Sequence, residues 1–493
     1  MSATSSEKAK DGAAPDLLTG VAWTGALRWI AQIVAWAATL LLVRLLTPAD
    51  YGIAGIAGAI STWTAIAAEF GLSSAVLTGD DLEDREYRQL HTLAIVMAGL
   101  AAVLMSAASG LAAVFFDVLE LRMIVPLLGV GIVIDAFRAI PTALLARRRT
   151  YRTIASIELV RALTQTVLVL GAALAGYRFW SFVIGQLGGS LVATAVMIRV
   201  TSLRPTLAIR PGHRPTVQRA RMFFGGAVAW QTYRNADIWI IGRVLGPSAV
   251  GAFTLTRSLA SIPIEKLVSI LTSVTPGYLL SARSEPAELR RLFLMLSEAV
   301  LLTVCLPLAG LAVTADLAIP VLLGEKWMDI VMPLRVLAVA MVIWSSSMVA
   351  VQVATLSNAL RSATQANIVA VPVALVVYYL GARYFGLVGV ASAAIVVVTV
   401  VAVPTIAGAL RATECSAAEY AASWRPALAA SLAIAVAVLV VRVLTLSLPN
   451  STRFGLSVVA GAAVGVAIVA WSSSPLIEKM RRPVVTRLRA LWS

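Results

Sequence analysis

The sequence predicts an all-α polytopic membrane protein of about 14 transmembrane helices. Two six-helix lobes, related by pseudo-two-fold symmetry, are followed by two C-terminal helices. Composition, the placement of positive charge and an internal repeat predict it. Of 493 residues, 59% are hydrophobic and 13% charged, and the mean hydropathy is +0.87. Soluble domains are about a quarter charged, so the chain falls in the membrane class.

A spanning helix needs roughly 20 mainly apolar residues. Such windows fall at 20–44, 53–77, 90–115, 123–146, 154–175, 179–199, 222–243, 249–280, 293–315, 329–357, 365–382, 386–410, 426–447 and 454–472. The windows 249–280 and 329–357 exceed one span and are expected to tilt or kink. The opening residues 1–19 lack the charged start, apolar centre and cleavage pattern of a signal peptide and read as a cytoplasmic tail. With the N-terminus cytoplasmic, fourteen spans put 25 Lys and Arg on the inner side against 8 on the outer. The inner set includes Arg147, Arg148, Arg149 and Arg152; the outer set includes Arg44, Arg178, Arg243, Arg442 and Arg453. That asymmetry is the positive-inside pattern. The net charge of +15 is therefore topology, and no nucleic-acid partner is expected. His91 and His213 read as surface loop residues near the cytoplasmic face.

The repeat joins "LLTPADYG" (45–52) to "VLGPSAVG" (244–251). A shift of 199 residues lays Pro48 on Pro247, Gln32 on Gln231, Arg44 on Arg243 and Gly52 on Gly251. The proline is expected to end each helix and the glycine to permit the tight return. A weaker echo joins "GYRFWSFVIG" (176–185) to "ARYFGLVGVA" (382–391). Six spans return the chain to the side it started from, so two copies stand parallel, with a substrate site expected between them near the midplane. This gives a first lobe at 20–199, an Arg- and Pro-rich cytoplasmic linker at 200–221 and a second lobe at 222–410. Two added spans occupy 426–472, and a basic cytoplasmic tail 473–493.

Ionisable residues inside spans are costly and point to function. Arg28 and Gln32 share a face of the first span, being four apart. In the seventh span Gln231, Arg234 and Asp237 follow at spacings of three. The eighth aligns Arg257, Ser261 and Glu265, with Lys266 beside them. Asp135 and Arg138 in the fourth span, and Glu158 and Arg161 in the fifth, form two carboxylate–arginine pairs. Those pairs either neutralise one another as structural glue or meet the substrate. Glu69 either pairs with another helix or, like Asp135, binds a coupling cation. Arg28 and Arg234, each on the first helix of a lobe, are the pair expected to line the cavity.

The segments "LLTPADYGIAG", "EFGLSSAVL", "LLARRRTYRTIASIE", "RNADIWIIGRVLG", "LLGEKW" and "FGLVGVA" resemble those of bacterial polysaccharide-unit exporters. These are oligosaccharide-lipid flippases of the superfamily that also holds multidrug/cation antiporters. The resemblance runs from about residue 20 to 410. It implies transport of isoprenoid-pyrophosphate-linked oligosaccharide units from the inner to the outer leaflet for polysaccharide assembly. It also implies residence in the bacterial cytoplasmic membrane with both termini inside, and membrane lipids, a polysaccharide polymerase and chain-length machinery as partners. A pyrophosphate headgroup suits the planar fork of arginine. Gln32, Gln231, Arg28, Arg234, Arg257 and Lys266 are accordingly the expected substrate contacts. Asp237 and Glu265 join the pairs around Arg138 and Arg161 as structural or cavity groups.

No Walker A sequence and no metal-ligand spacing occurs, so no cofactor or metal is expected. The predicted outer loops are short, which argues against an enzyme. A multidrug/cation antiporter of the same fold and a peptidoglycan-precursor flippase are the alternatives.

Overall fold

A computed structural model describes residues 37–69, 76, 84–148, 150–201, 214–281, 285–356 and 360–471. Among the described residues the regular structure is helical throughout, with no strand. The chain forms two compact units, Met1–Val228 and Ala229–Ser493. Nine described helical segments are long and apolar enough to cross a membrane, and a bent pair makes a tenth. Leu111, Val103, Leu432 and Val466 are among many large apolar side chains left exposed. Lipid, not water, is the solvent such surfaces suit.

The first unit holds α1 (Ala37–Leu45), α2 (Pro48–Glu69), α3 (Asp84–Phe116), α4 (Leu121–Arg147), α5 (Tyr151–Leu174) and α6 (Trp180–Thr201). It ends within α7 (Arg214–Val244). Helix α2 packs on α3 and α4, α3 on α4, α4 on α6, and α5 on α6. The last pair meets almost backbone to backbone. A Cβ on Gly189 would sit 3.1 Å from the Arg161 carbonyl oxygen, and one on Gly185 3.0 Å from that of Gln165. Small residues at membrane helix contacts allow this approach, and here it fixes the helix that carries Glu158 and Arg161.

The second unit holds the rest of α7, then α8 (Pro247–Ser281), α9 (Pro286–Leu322), a 3-10 turn (Glu325–Ile330), α10 (Val331–Ser346) and α11 (Met348–Leu356). There follow α12 (Leu360–Ala412), the short α13 (Ala417–Ala422), α14 (Arg425–Leu444) and α15 (Asn450–Trp471). Helix α9 is its hub, packing on α8, α10, α14 and α15. Its core joins Phe293, Val300, Val304 and Leu308 of α9 to Ile264, Ala338, Ala350, Ala409 and Tyr420. The long 329–357 window does break. At Ser345, Ser346 and Ser347 each hydroxyl donates to the carbonyl three residues back, at 2.6–2.8 Å, and the Tyr420 hydroxyl donates to the Ser346 carbonyl at 2.7 Å. Helix α12 breaks at Gly386, whose φ is 60°, the first residue of the window 386–410. The "LLGEKW" segment is structural: Gly324 has φ 101°, and Trp327 is fully buried.

The doubled turn is built in two ways. Between α1 and α2 the chain bends by 119°. Thr47 caps α2 there: its hydroxyl accepts from the Asp50 N–H at 3.2 Å, while the Asp50 carboxylate accepts from the Thr47 N–H at 3.1 Å. That is a capping box with Pro48 at the first helical position. Between α7 and α8, Gly246 instead adopts φ 84°, and its N–H donates to the Ile241 carbonyl at 3.1 Å. A left-handed glycine thus ends α7. Gly52 and Gly251, expected to make the return, lie inside α2 and α8 and are buried; the proline and its preceding residue make the turn.

His91 also departs from expectation. It is fully buried on α3, its Nε2 3.2 Å from the Phe137 carbonyl oxygen, because α3 begins at Asp84 and has completed two turns before reaching it. His213 lies outside the described residues.

Candidate functional site

Among the described residues three clusters of charge lie within helices, one in the first unit and two in the second. In the first unit the i,i+3 spacing brings Arg138 Nε to Asp135 Oδ1 at 2.9 Å and Arg161 Nε to Glu158 Oε2 at 2.9 Å. Arg138 Nη1 also pairs with Glu158 Oε1 across the α4–α5 contact. The four side chains make one alternating ladder, Asp135–Arg138–Glu158–Arg161, in which every charge touches an opposite one. Its formal charge is zero, which is what a low-dielectric setting favours.

The second unit distributes its charges differently. Asp237 on α7 is buried, and its carboxylate takes Arg257 Nη1 from α8 at 2.9 Å and the Ile238 N–H at 2.7 Å. The same Arg257 nitrogen donates to the Arg234 carbonyl at 3.2 Å, tying the first turn around the site to α8. One turn further along α8, the Ser261 hydroxyl donates to Glu265 Oε1 at 2.9 Å. Arg234 itself is exposed and has no ion pair among the described residues. Its guanidinium carbon lies 4.8 Å from the centre of the Trp230 ring and 5.9 Å from that of Trp344. Trp230 is four residues back on the same helix face, and Trp344 comes from the last turn of α10, beside the serine break.

This arrangement has a chemical consequence. Indole rings engage the faces of a guanidinium, whereas its five N–H donors lie around the edge. A stacked arginine is therefore held in place with its hydrogen-bonding edge unspent, ready for a planar anion or a phosphate. Each such stack is worth about 0.5–2 kcal/mol, depending on desolvation.

Gln231 is buried on α7, and its carbonyl accepts from Asn235 Nδ2 at 3.2 Å. Arg257 is spent on Asp237, which fits a support for the site better than a free contact. Arg28 and Gln32, and the side chains of Glu69 and Lys266, lie outside the described residues. The described charges in this cluster balance: Arg234 and Arg257 against Asp237 and Glu265. What distinguishes Arg234 is thus the lack of a carboxylate in contact, not an excess of positive charge. Trp230 escaped the sequence reading, although its spacing of four from Arg234 was there to be used.

A third cluster was also missed. Asp316 on α9 takes Arg335 Nη2 of α10 at 2.8 Å and Arg442 Nη2 of α14 at 2.5 Å. Arg442, placed above on the outer side within the window 426–447, lies in the last turn of α14.

The chain is similar to known proteins over most of its length. A family described as "Polysaccharide biosynthesis protein" matches residues 41–332. The teichuronic acid biosynthesis protein TuaB of Bacillus subtilis is 23% identical over 329 residues, 66% of this chain and 68% of that one. The lipopolysaccharide biosynthesis protein WzxC of Escherichia coli is 24% identical over 337 residues, 65% of this chain and 66% of that one. The match thus spans about two thirds of the length of each relative. Among solved structures, the lipid II flippase MurJ in an inward closed conformation superposes with a TM-score of 0.73 at 11% identity, covering 90% of this chain and 97% of that one. At that identity the likeness is one of fold.

Proposed function

The chain belongs to the polysaccharide biosynthesis protein family, and from that premise we propose that it is a flippase for lipid-linked oligosaccharides. It moves isoprenoid-pyrophosphate-linked units from the inner to the outer leaflet by alternating access. In this reading it resides in the bacterial inner membrane with both termini cytoplasmic and hands its cargo to a polymerase and chain-length machinery. It performs transport, not covalent chemistry. The names of TuaB, a teichuronic acid biosynthesis protein, and WzxC, a lipopolysaccharide biosynthesis protein, support the cargo class.

The observation that carries the proposal at residue level is Arg234. Hydrocarbon excludes a pyrophosphate, so the protein must offer it fixed donors while the isoprenoid remains in lipid. Arg234 presents a held guanidinium edge with no carboxylate upon it, and the flanking Trp230 and Trp344 offer flat faces to sugar rings. Asp237 and Arg257 neutralise one another beneath it and set its position. A cationic drug would be repelled by Arg234, which disfavours the antiporter alternative. Arg28, Gln32 and Lys266 are proposed as further contacts, and Gln231 as a second polar group on the same helix.

Movement of an anion outward is favoured by an inside-negative potential, by about 2.3 kcal/mol per charge per 100 mV. Asp135 is tied to Arg138, which supports drive by the potential over cation coupling at that residue.

The test is a lipid extract of cells depleted of the protein. Complete isoprenoid-pyrophosphate oligosaccharides should accumulate facing the cytoplasm. Their absence, together with new sensitivity to cationic drugs, would refute the proposal in favour of the antiporter.

A further inference from the structure

The Asp316 cluster has a property that the other two lack. Its single carboxylate is shared by two arginines, so the triad carries one surplus positive charge. Arg335 and Arg442 also grip the α9 backbone, Arg335 Nε donating to the Ala312 carbonyl at 3.0 Å and Arg442 Nη1 to that of Val313 at 2.6 Å. Arg335 Nη1 faces the Met332 sulfur at 3.9 Å, and Arg442 Nη1 also reaches Asp316 Oδ1 at 3.1 Å. Each guanidinium has five donors, and these contacts leave part of both forks unspent. The triad is not sealed: the side chains of Arg335, Asp316 and Arg442 are 37%, 32% and 19% exposed.

A second arginine charge stands at the same end of the α14–α15 hairpin. Arg453, in the first turn of α15, has a buried Nε with no hydrogen-bond partner and only a long contact, 3.4 Å, from Nη1 to Asn450. Glu325 and Asp329, in the 3-10 turn that follows α9, are exposed and pair with none of these arginines.

The position fixes what could answer this charge. Helix α14 has 20 residues and α15 has 22, each about one bilayer span. Arg442 lies two residues before the end of α14 and Arg453 three after the start of α15, so both stand at headgroup depth. A surplus cation at a bilayer surface needs an anion, and the anions that a bilayer supplies at that depth are lipid phosphates. We propose that Arg335 and Arg442 of the Asp316 triad, with Arg453 at the same end of the α14–α15 hairpin, form a binding site for the phosphodiester of an anionic membrane lipid. The lipid would staple α14 and α15 to α9 and α10. This site is distinct from the Arg234 cluster and does not depend on the transport reading.

The full chain, purified in neutral detergent, would be titrated with phosphatidylglycerol and with phosphatidylcholine, bound lipid being counted by native mass spectrometry. Phosphatidylglycerol should be preferred by roughly tenfold, given the worth of a basic residue near a charged surface. Arg453→Gln, which leaves the triad intact, should cut that preference several-fold with an unchanged melting temperature. Asp316→Asn should raise the preference even as it lowers the melting temperature, an outcome that a purely structural triad would not give. Equal retention of the two lipids would overturn the proposal. So would an undiminished preference in Arg453→Gln, or displacement of the lipid by millimolar inorganic phosphate, which would mark a site for the free ion.

Discussion

The Asp135–Arg138–Glu158–Arg161 ladder and the Arg234 cluster use similar residues at similar spacings, yet they are wired in opposite ways. In the ladder each arginine is spent on carboxylates within its own helix pair, and nothing is left over. In the Arg234 cluster a buried Asp237–Arg257 pair does the neutralising, and Arg234 is set apart on indole faces. An intramembrane charge is therefore not by itself a site. A charge becomes available when something other than a carboxylate holds it in place.

That contrast can be broken in four ways. The largest effect should come from Arg257→Ala, which leaves the buried Asp237 without its cation. A loss of about 3–5 kcal/mol is expected for an orphaned buried charge, read as a lowered melting temperature in lipid nanodiscs. Arg138→Ala should cost less, about 3 kcal/mol, because Asp135 and Glu158 are partly exposed. A full charge swap of the ladder, Asp135→Arg, Arg138→Glu, Glu158→Arg and Arg161→Glu, keeps every contact between opposite charges and should recover part of that loss if the ladder is glue. Equal stability of all three proteins would remove the ladder from the account.

Arg234→Ala should leave the melting temperature within about 1 kcal/mol of wild type, since only stacking is lost. Transport should fall at least tenfold, as the loss of one charge-assisted hydrogen bond predicts. Arg234→Lys should restore little, because an ammonium lacks the planar fork. Smallest of all, Trp344→Leu should loosen Arg234 by about 0.5–1 kcal/mol and slow transport a few-fold, measured by the same flipping assay. If Trp344→Leu stops transport as completely as Arg234→Ala does, the indole touches cargo directly.

The sequence made the i,i+3 pairs legible, because helical period alone puts Asp135 on Arg138 and Glu158 on Arg161. It could not show Arg138 reaching Glu158, since α4 and α5 are placed by their separate packing on α6, which leaves no period in the sequence. Spacing suggested Arg234 with Asp237, but Arg257 on the next helix won that carboxylate. Helix ends that carry charge leave little trace in an apolar pattern. Polar first turns hid the start of α3, and with it the burial of His91. The apolar window 426–447 took in Arg442, but no spacing in it pointed to Asp316 on α9 as its partner. The repeated turn was found by its proline, yet its glycines were misread: a capping box closes one copy and Gly246 the other.

The most direct test reconstitutes the protein in liposomes with a short isoprenoid-pyrophosphate oligosaccharide placed in one leaflet. The arrival of sugar at the other leaflet is then followed with a membrane-impermeant lectin or oxidant. The account predicts transfer by wild type and by the folded charge-swapped ladder variant, and at least tenfold slower transfer by Arg234→Ala. Transfer by Arg234→Ala at the wild-type rate, or none by wild type, would contradict it.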